Sequence, residues 1–410
     1  MFSLSTLLAA GSLLIAMPSV LALDDGSVQA SQSQLVPHQR ERRFPQGSLR
    51  TSSNDPFEAM LWRGIDAMYS YRFHEAETAL DSAMVLDPYN AVAPFVAVAN
   101  QWQLSLTERG FEASHEALLQ AVAATIPRYD AMISRYGRRA DILLFLGSTY
   151  GMRTRVHLAD KSWLAGLYSG LKGWSLVRQA YALDSTLADA YLPIGIFDYY
   201  AGMHSAPVQL AARLFGIDPD QSRGIQVLQR AVRQAPYSWI EAASTLSIIY
   251  LYIEDDPEMA YQYTDLLLRH YPENYYFNFL MGEELVKTHR LAEAREFTPR
   301  LEALIEQSHP NQRLEWELKY AALEAALAFA EGDLDKALER CRWVIEHYDM
   351  EFDWHLGIVH YMRGQIREGR ADLTGAREDY RVVAGLGNRT YLVEEAQAAL
   401  DRVSRTMSSQ

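Results

Sequence analysis

The chain has 410 residues, 49% of them apolar, and a formal net charge of −14. The apolar share supports a large core and excludes wholesale disorder, and the length suits two or three domains or one long repeat array. The acidic balance argues against nucleic acid and anionic membrane surfaces as partners, since both need clustered Lys and Arg.

Leu4 to Ala16 form an uncharged apolar run, broken by Pro18 and followed by the small-residue site Val20-Leu21-Ala22. This predicts a signal peptide over residues 1–22 and an exported protein, periplasmic or secreted. The alternative is an uncleaved anchor, the one case in which the chain would be membrane-attached. Residues 23–55 are rich in Ser, Gln, Asp and Arg and read as a flexible linker. The single cysteine, Cys341, rules out a disulfide framework and a Cys-based zinc site.

From residue 57 a period appears. Gly64, Ala76, Leu80, Ala83 and Pro88 are separated by steps of 12, 4, 3 and 5. Gly364, Ala376, Tyr380 and Val383 repeat 12, 4 and 3, as do Gly282, Ala294, Thr298 and Leu301. Steps of 3 and 4 place side chains on one helix face. A small residue lets a second helix approach, and Pro or Asp ends the pair. The unit is a helix–turn–helix of about 34 residues.

This pattern resembles the tetratricopeptide repeat (TPR) family. Clear units fall at 57–90, 241–274, 275–308, 318–351 and 357–390, and residues 391–406 resemble the C-terminal capping helix of such arrays. The expected fold is an all-α solenoid, and the resemblance implies a right-handed superhelix. By repeat phase, 57–137 holds the N-terminal helices, 138–238 elongated repeats and 239–390 regular ones. Pro299 falls inside a predicted second helix, where a kink is expected.

Two repeats are stretched. Gly195 to Gly224 spans 29 residues and Gly147 to Gly173 spans 26, against a normal 12, leaving insertions of about 17 and 14 residues. The inserted stretches at 161–174 and 203–217 are apolar, and Trp163, Trp174 and Phe215 are candidates to line a hydrophobic ligand site.

No nucleophile elbow, phosphate loop or His-Glu-x-x-His motif occurs. His204-Ser205 reads as a helix cap ahead of Pro207 and not as a catalytic pair. The acidic and histidine-rich segment 346–355 lacks the turn glycine and terminal Glu of a calcium loop and reads as a solvated junction. Cys341, at a core-facing position, reads as an inert thiol. No catalytic residue, metal or cofactor is expected.

The aromatic residues carry more information. In TPR proteins the first helix of each unit lines a concave groove, and the resemblance places Tyr69, Tyr199, Tyr200, Tyr252, Tyr276, Phe279 and Tyr361 there. Tyrosine offers contact area and a polar tip at low entropic cost. The Lys and Asn clamp with which some TPR domains hold a C-terminal carboxylate is absent at Thr245, Ile249, Phe279, Glu283, Ala322 and Ala326. The expectation is a non-enzymatic scaffold for a protein or peptide, with lipid or small hydrophobic ligand binding by 161–217 as the alternative.

Overall fold

The computed structural model describes residues 55–160, 162–203 and 218–408; the signal, most of the linker, His204, Ser205 and Phe215 lie outside the described residues, as does the side chain of Trp163. Among the described residues there are seventeen α-helices and no strand. In chain order they are α1 (Pro56–Tyr69), α2 (Phe73–Leu86), α3 (Val92–Arg109), α4 (Phe111–Tyr136), α5 (Ala140–Ala159), α6 (Trp163–Leu183), α7 (Tyr191–Gly202), α8 (Gln221–Gln234) and α9 (Trp239–Tyr252). There follow α10 (Pro257–His270), α11 (Tyr275–Lys287), α12 (Leu291–Gln307), α13 (Pro310–Glu331), α14 (Leu334–His347), α15 (Trp354–Gly369), α16 (Leu373–Ala384) and α17 (Tyr391–Ser408).

Local chemistry explains where the helices begin. The side chains of Asp55, Asp220, Asp256, Asn274, Asp333 and Asp372 each accept a hydrogen bond from a backbone N–H in the first turn that follows. Such caps satisfy donors the helix cannot, at about 1 kcal/mol each. Pro56 and Pro257 add first-turn residues whose missing N–H costs nothing there. Within the hairpins the turn falls at a left-handed residue: Tyr71, Asp255, His289 and Ala371 have φ between 51° and 60°. Tyr71, His289 and Ala371 each stand seven residues after a phase glycine, Gly64, Gly282 or Gly364, so the period visible in sequence recurs in the backbone.

Consecutive helices pair as hairpins from α1/α2 to α15/α16, and α17 covers the last of them. The architecture is an all-α, TPR-like solenoid. A Cβ on Gly64 would meet Leu80, sixteen residues on, and one on Gly364 would meet Tyr380 at the same interval. On Gly195 it would meet Leu228, and on Gly147 it would meet Val177 and the carbonyl of Gly173. The two central hairpins therefore keep the same helix–helix contact across a longer stretch of chain. In the first of them the extra residues become helix, giving α5 20 and α6 21 residues where α1 and α2 have 14 each.

Pro299 lies within α12, which continues to Gln307. The proline cannot donate to the carbonyl of Arg295; the Thr298 hydroxyl lies 2.9 Å from the carbonyl of Ala294 and 3.1 Å from that of Arg295, and shares its one proton between them. Cys341 is buried, its sulfur 3.9 Å from that of Met362, and burial pushes the thiol up to about 12.

The array does not stay open. The Tyr69 hydroxyl on α1 donates to Glu241 on α9 at 2.6 Å, and Tyr271 donates to Asp66 at 3.1 Å. The Asn274 amide donates to the carbonyl of Tyr69, and Tyr237 donates to Glu58. Phe57, Leu61, Ile65 and Tyr69 share one continuous core with Leu246, Leu267, Phe277 and Trp354. The first hairpin thus occupies part of the hollow of the solenoid, and residues Ile240 to Tyr252 of α9 are buried on every side.

Close backbone approach makes a paired test. A Cβ on Gly224 would lie 2.4 Å from the backbone nitrogen of Tyr199, whereas one on Gly151 meets nothing within 4 Å. Gly224→Ala should destabilise by about 1–3 kcal/mol. Gly151→Ala should stabilise by about 0.5–1 kcal/mol through helix propensity. Urea unfolding of the two variants measures both, and a neutral Gly224→Ala would refute the contact.

Candidate functional site

Two cavities of about 450 and 440 Å³ sit back to back inside the array and share Tyr252, Trp354 and His355. The first lies where α3, α4, α5 and α13 meet the segment before α15. Its walls are aromatic, with Tyr71, Trp102, Phe111, Tyr276, Trp316 and Phe352 among the lining side chains. Its rim mixes exposed Arg109, Glu112, Leu314 and Asp349. The second is more apolar, with Val286, Leu323, Phe329, Ile358 and Met362 in its lining.

Two cations are set into the wall of the first cavity. Arg155 on α5 is 6% exposed, donates to both Glu351 oxygens at 2.6 and 2.8 Å, and lies 4.4 Å from the ring of Trp102. Lys319 on α13, also 6% exposed, pairs with Glu315 at 2.7 Å and lies 4.3 Å from Trp316. Each is a desolvated cation held by one carboxylate and two aromatic rings, Arg155 also lying 6.0 Å from Phe352 and Lys319 5.2 Å from Tyr276. Glu351 is also within 3.3 Å of His115 Nε2, while His115 Nδ1 is 2.9 Å from Asp160. The hydrogen bond with Glu351 raises the His115 imidazole above its ordinary value, against burial, which lowers it. Burial works to raise the Glu351 carboxyl and is outweighed by His115 and Arg155, leaving it below the usual range.

The partition between the cavities is a second network. Tyr252 donates to Glu283 at 2.6 Å, and His355 Nε2 is 2.9 Å from the other oxygen of that carboxylate. Burial of Glu283 acts to raise its carboxyl, and His355 and Tyr252 overcome it. Burial and the Glu283 charge hold the Tyr252 phenol well above 10, so it remains a donor.

The aromatic residues expected on an open concave face divide into two sets. Tyr252 and Tyr276 line the first cavity and Tyr361 the second. Tyr69, Tyr199, Tyr200 and Phe279 are buried among helices, because the first hairpin and neighbouring repeats cover them. Tyr199 donates to Glu254 at 2.5 Å, and Phe279 stacks on Trp316. In this structure these four rings pack between helices. Of the insertion residues, Trp174 stacks on Phe197 at 3.9 Å and joins α6 to α7.

The charged segment 346–355 sends its members to separate partners: Glu351 to Arg155, His355 to Glu283, His347 to the carbonyl of Trp343, and Asp353 to Asn388. Among the described residues no three His, Cys, Asp or Glu gather in a metal-binding group. No described helix is long and apolar enough to cross a membrane. Sequence reasoning passed over Arg155, His115 and Lys319. Arg155 stands between buried Thr154 and Val156 in a helix buried on most of its surface, so no amphipathic period marks it.

No family model matches the chain, and no curated protein matches it. A solved tetratricopeptide repeat protein from Parabacteroides merdae is 13% identical over 85% of this chain and 99% of its own, with a TM-score of 0.29. The human IFIT1 dimer with PPP-AAAA is 13% identical over 87% of each chain, at 0.43. Yeast Tom70 is 12% identical over 86% of this chain and 96% of its own, at 0.24. The assignment of the fold stands on the helix pairing and not on these likenesses.

A raised imidazole gives a definite sign. His115 contributes its stabilisation fully below its ordinary value of 6.5 and loses it as pH rises through the elevated folded value. The wild-type urea midpoint should therefore fall between about pH 6 and pH 8.5 more than that of His115→Gln. Parallel profiles for the two proteins would show that the Glu351 contact carries no linkage.

Proposed function

We propose that this chain is a non-enzymatic scaffold that docks a protein or peptide partner at the mouth of the first cavity. The observation that carries the reading is the cavity itself: an aromatic-lined hollow inside a helical array, with a rim of Arg109, Glu112, Leu314 and Asp349. Its size suits a chain end or a few side chains. Aromatic walls supply contact area, and mixed rim charges select register and orientation. The apolar run at Leu4–Ala16 supports placing this scaffold outside the cytoplasm.

A second reading, binding of lipid or a small hydrophobic ligand by the 161–217 region, draws support from α6. That helix exposes Leu164, Tyr168 and Leu171 at steps of four and three. It carries Lys172 and Arg178 and no carboxylate, in a chain of net charge −14. Co-purified lipid in native mass spectrometry would favour it.

Leu106 and Leu314 both line the first cavity, and panning a random-peptide display library on the wild type and on Leu106→Glu/Leu314→Glu tests the docking reading. The scaffold account expects a recurring peptide motif with at least about tenfold lower recovery on the double variant, the order of one anchor contact. Equal recovery on both proteins would remove the first cavity from the function.

A further inference from the structure

The first half of α6 is built inside out. Its small residues face α5: Ser169 is buried, a Cβ on Gly166 would meet Leu158, and one on Gly173 would meet the carbonyl of Gly147. Its large apolar residues point away, with Leu164 75%, Tyr168 62% and Leu171 40% exposed. At 3.6 residues per turn these three and the exposed Ser175 fall within an arc of about 60°. A helix in such an array ordinarily turns its large apolar side chains inward, so a row of them in solvent marks a contact surface.

The charge beside the row is one-sided. From Arg135 to Leu183 the sequence holds eight Lys and Arg, two Asp and no Glu, in a chain of net charge −14. Exposed Lys172 follows Leu171, and Arg153 of α5 reaches the same side, donating to Ser169 at 2.9 Å. The two cations lie 4.5 and 4.6 Å from one ring, that of Tyr150. Neither forms an ion pair with a described carboxylate. Two like charges set this close repel each other, and an anionic surface placed over them removes the repulsion.

We propose that the outer face of α6 rests on an anionic bilayer surface, with Leu164, Tyr168 and Leu171 entering the acyl boundary and Lys172 and Arg153 meeting lipid phosphates. Leucine and tyrosine beside cations suit that depth, where one end of a side chain is apolar and the other wet. A second copy of the chain fits less well. Two-fold pairing through this face would set Lys172 and Arg153 near their own counterparts, with no carboxylate between Asp160 and Asp184 to offset them. A folded acidic partner would need a groove already shaped for the projecting side chains, whereas lipid moulds around them. The acidic remainder of the chain is repelled by such a membrane, which confines the contact to this hairpin and makes it sensitive to salt. The inference rests on the reading of lipid binding by the α6 region and names the lipid as a charged membrane surface.

The test uses the full chain with Ser175→Cys carrying an environment-sensitive fluorophore; the one native thiol, Cys341, is buried. Vesicles of phosphatidylcholine with about one-third phosphatidylglycerol should shift the emission to the blue, with an apparent affinity at least about fivefold above that for phosphatidylcholine alone. The same fluorophore at Glu293→Cys, an exposed position on α12, should stay unchanged, which separates this contact from insertion of the apolar run Leu4–Ala16. Leu164→Ser/Leu171→Ser should weaken the response about tenfold. Lys172→Gln should weaken it about fivefold on the anionic vesicles and leave the neutral ones alone. Overturning results are no shift at position 175, an unchanged response in the leucine variant, or a shift with a polyglutamate peptide and none with vesicles, which would give the face to an acidic protein. An equal response to neutral and anionic vesicles refutes this inference and keeps the lipid reading. Co-purified lipid with no shift at position 175 does the same.

Discussion

The hydrogen bond from Tyr69 to Glu241 spans 172 residues and ties the first hairpin to α9. Glu241 sits near the start of α9, a helix buried on all sides, and is 7% exposed. A carboxylate there needs a donor from outside its own helix, since a buried charge left alone costs several kcal/mol. The first hairpin supplies it. Burial, then the Glu241 charge, holds the Tyr69 phenol well above 10, so it stays a donor across the physiological range. With the hairpin in place, Tyr271 reaches Asp66, Asn274 reaches the Tyr69 carbonyl, and the aromatic rings of Tyr69, Tyr271 and Phe277 meet. The first hairpin then fills part of the hollow of the solenoid, and the two cavities that share Tyr252, Trp354 and His355 lie beside it among the described residues.

The same exchange recurs. Tyr199 donates to Glu254, Tyr252 to Glu283, Tyr237 to Glu58 and Tyr380 to Glu368. A chain with 24 tyrosines and an excess of carboxylates can tie acidic side chains on one helix to another because phenols pack like aromatic core residues and donate at their tips. Arginine does this where a full charge is needed: Arg155 for Glu351, and Arg363 with Arg367 for the almost fully buried Asp379. The acidic composition is thus partly structural. It describes how repeats are joined as much as what the surface repels.

Much of the fold was legible. The intervals 12, 4 and 3 identify helix contacts because a glycine at Gly64 or Gly364 is needed for Leu80 or Tyr380 to fit, a local steric requirement. The stretched intervals at Gly147 and Gly195 follow from the same requirement. Closure was not legible, because it joins side chains far apart in sequence with no periodic signature. That is why Tyr69, placed on the concave side by phase, turns out buried, while Tyr199 packs on its neighbour helix at Gly224, Phe279 stacks on Trp316, and Tyr252 and Tyr276 line a cavity. Glu351 and His355 were visible as a charged cluster, but charge density alone could not reveal that each answers a different distant partner. Aromatic rings of this kind carry phase information and no information about which of them a folded-back hairpin will cover.

A double-mutant cycle on Tyr69→Phe and Glu241→Gln, read by urea unfolding, tests closure most directly. The account predicts a coupling of about 1–3 kcal/mol, the range for a buried hydrogen bond to a charged group. Additive effects would mean that the first hairpin does not rest on α9, and that the hollow of the array is open.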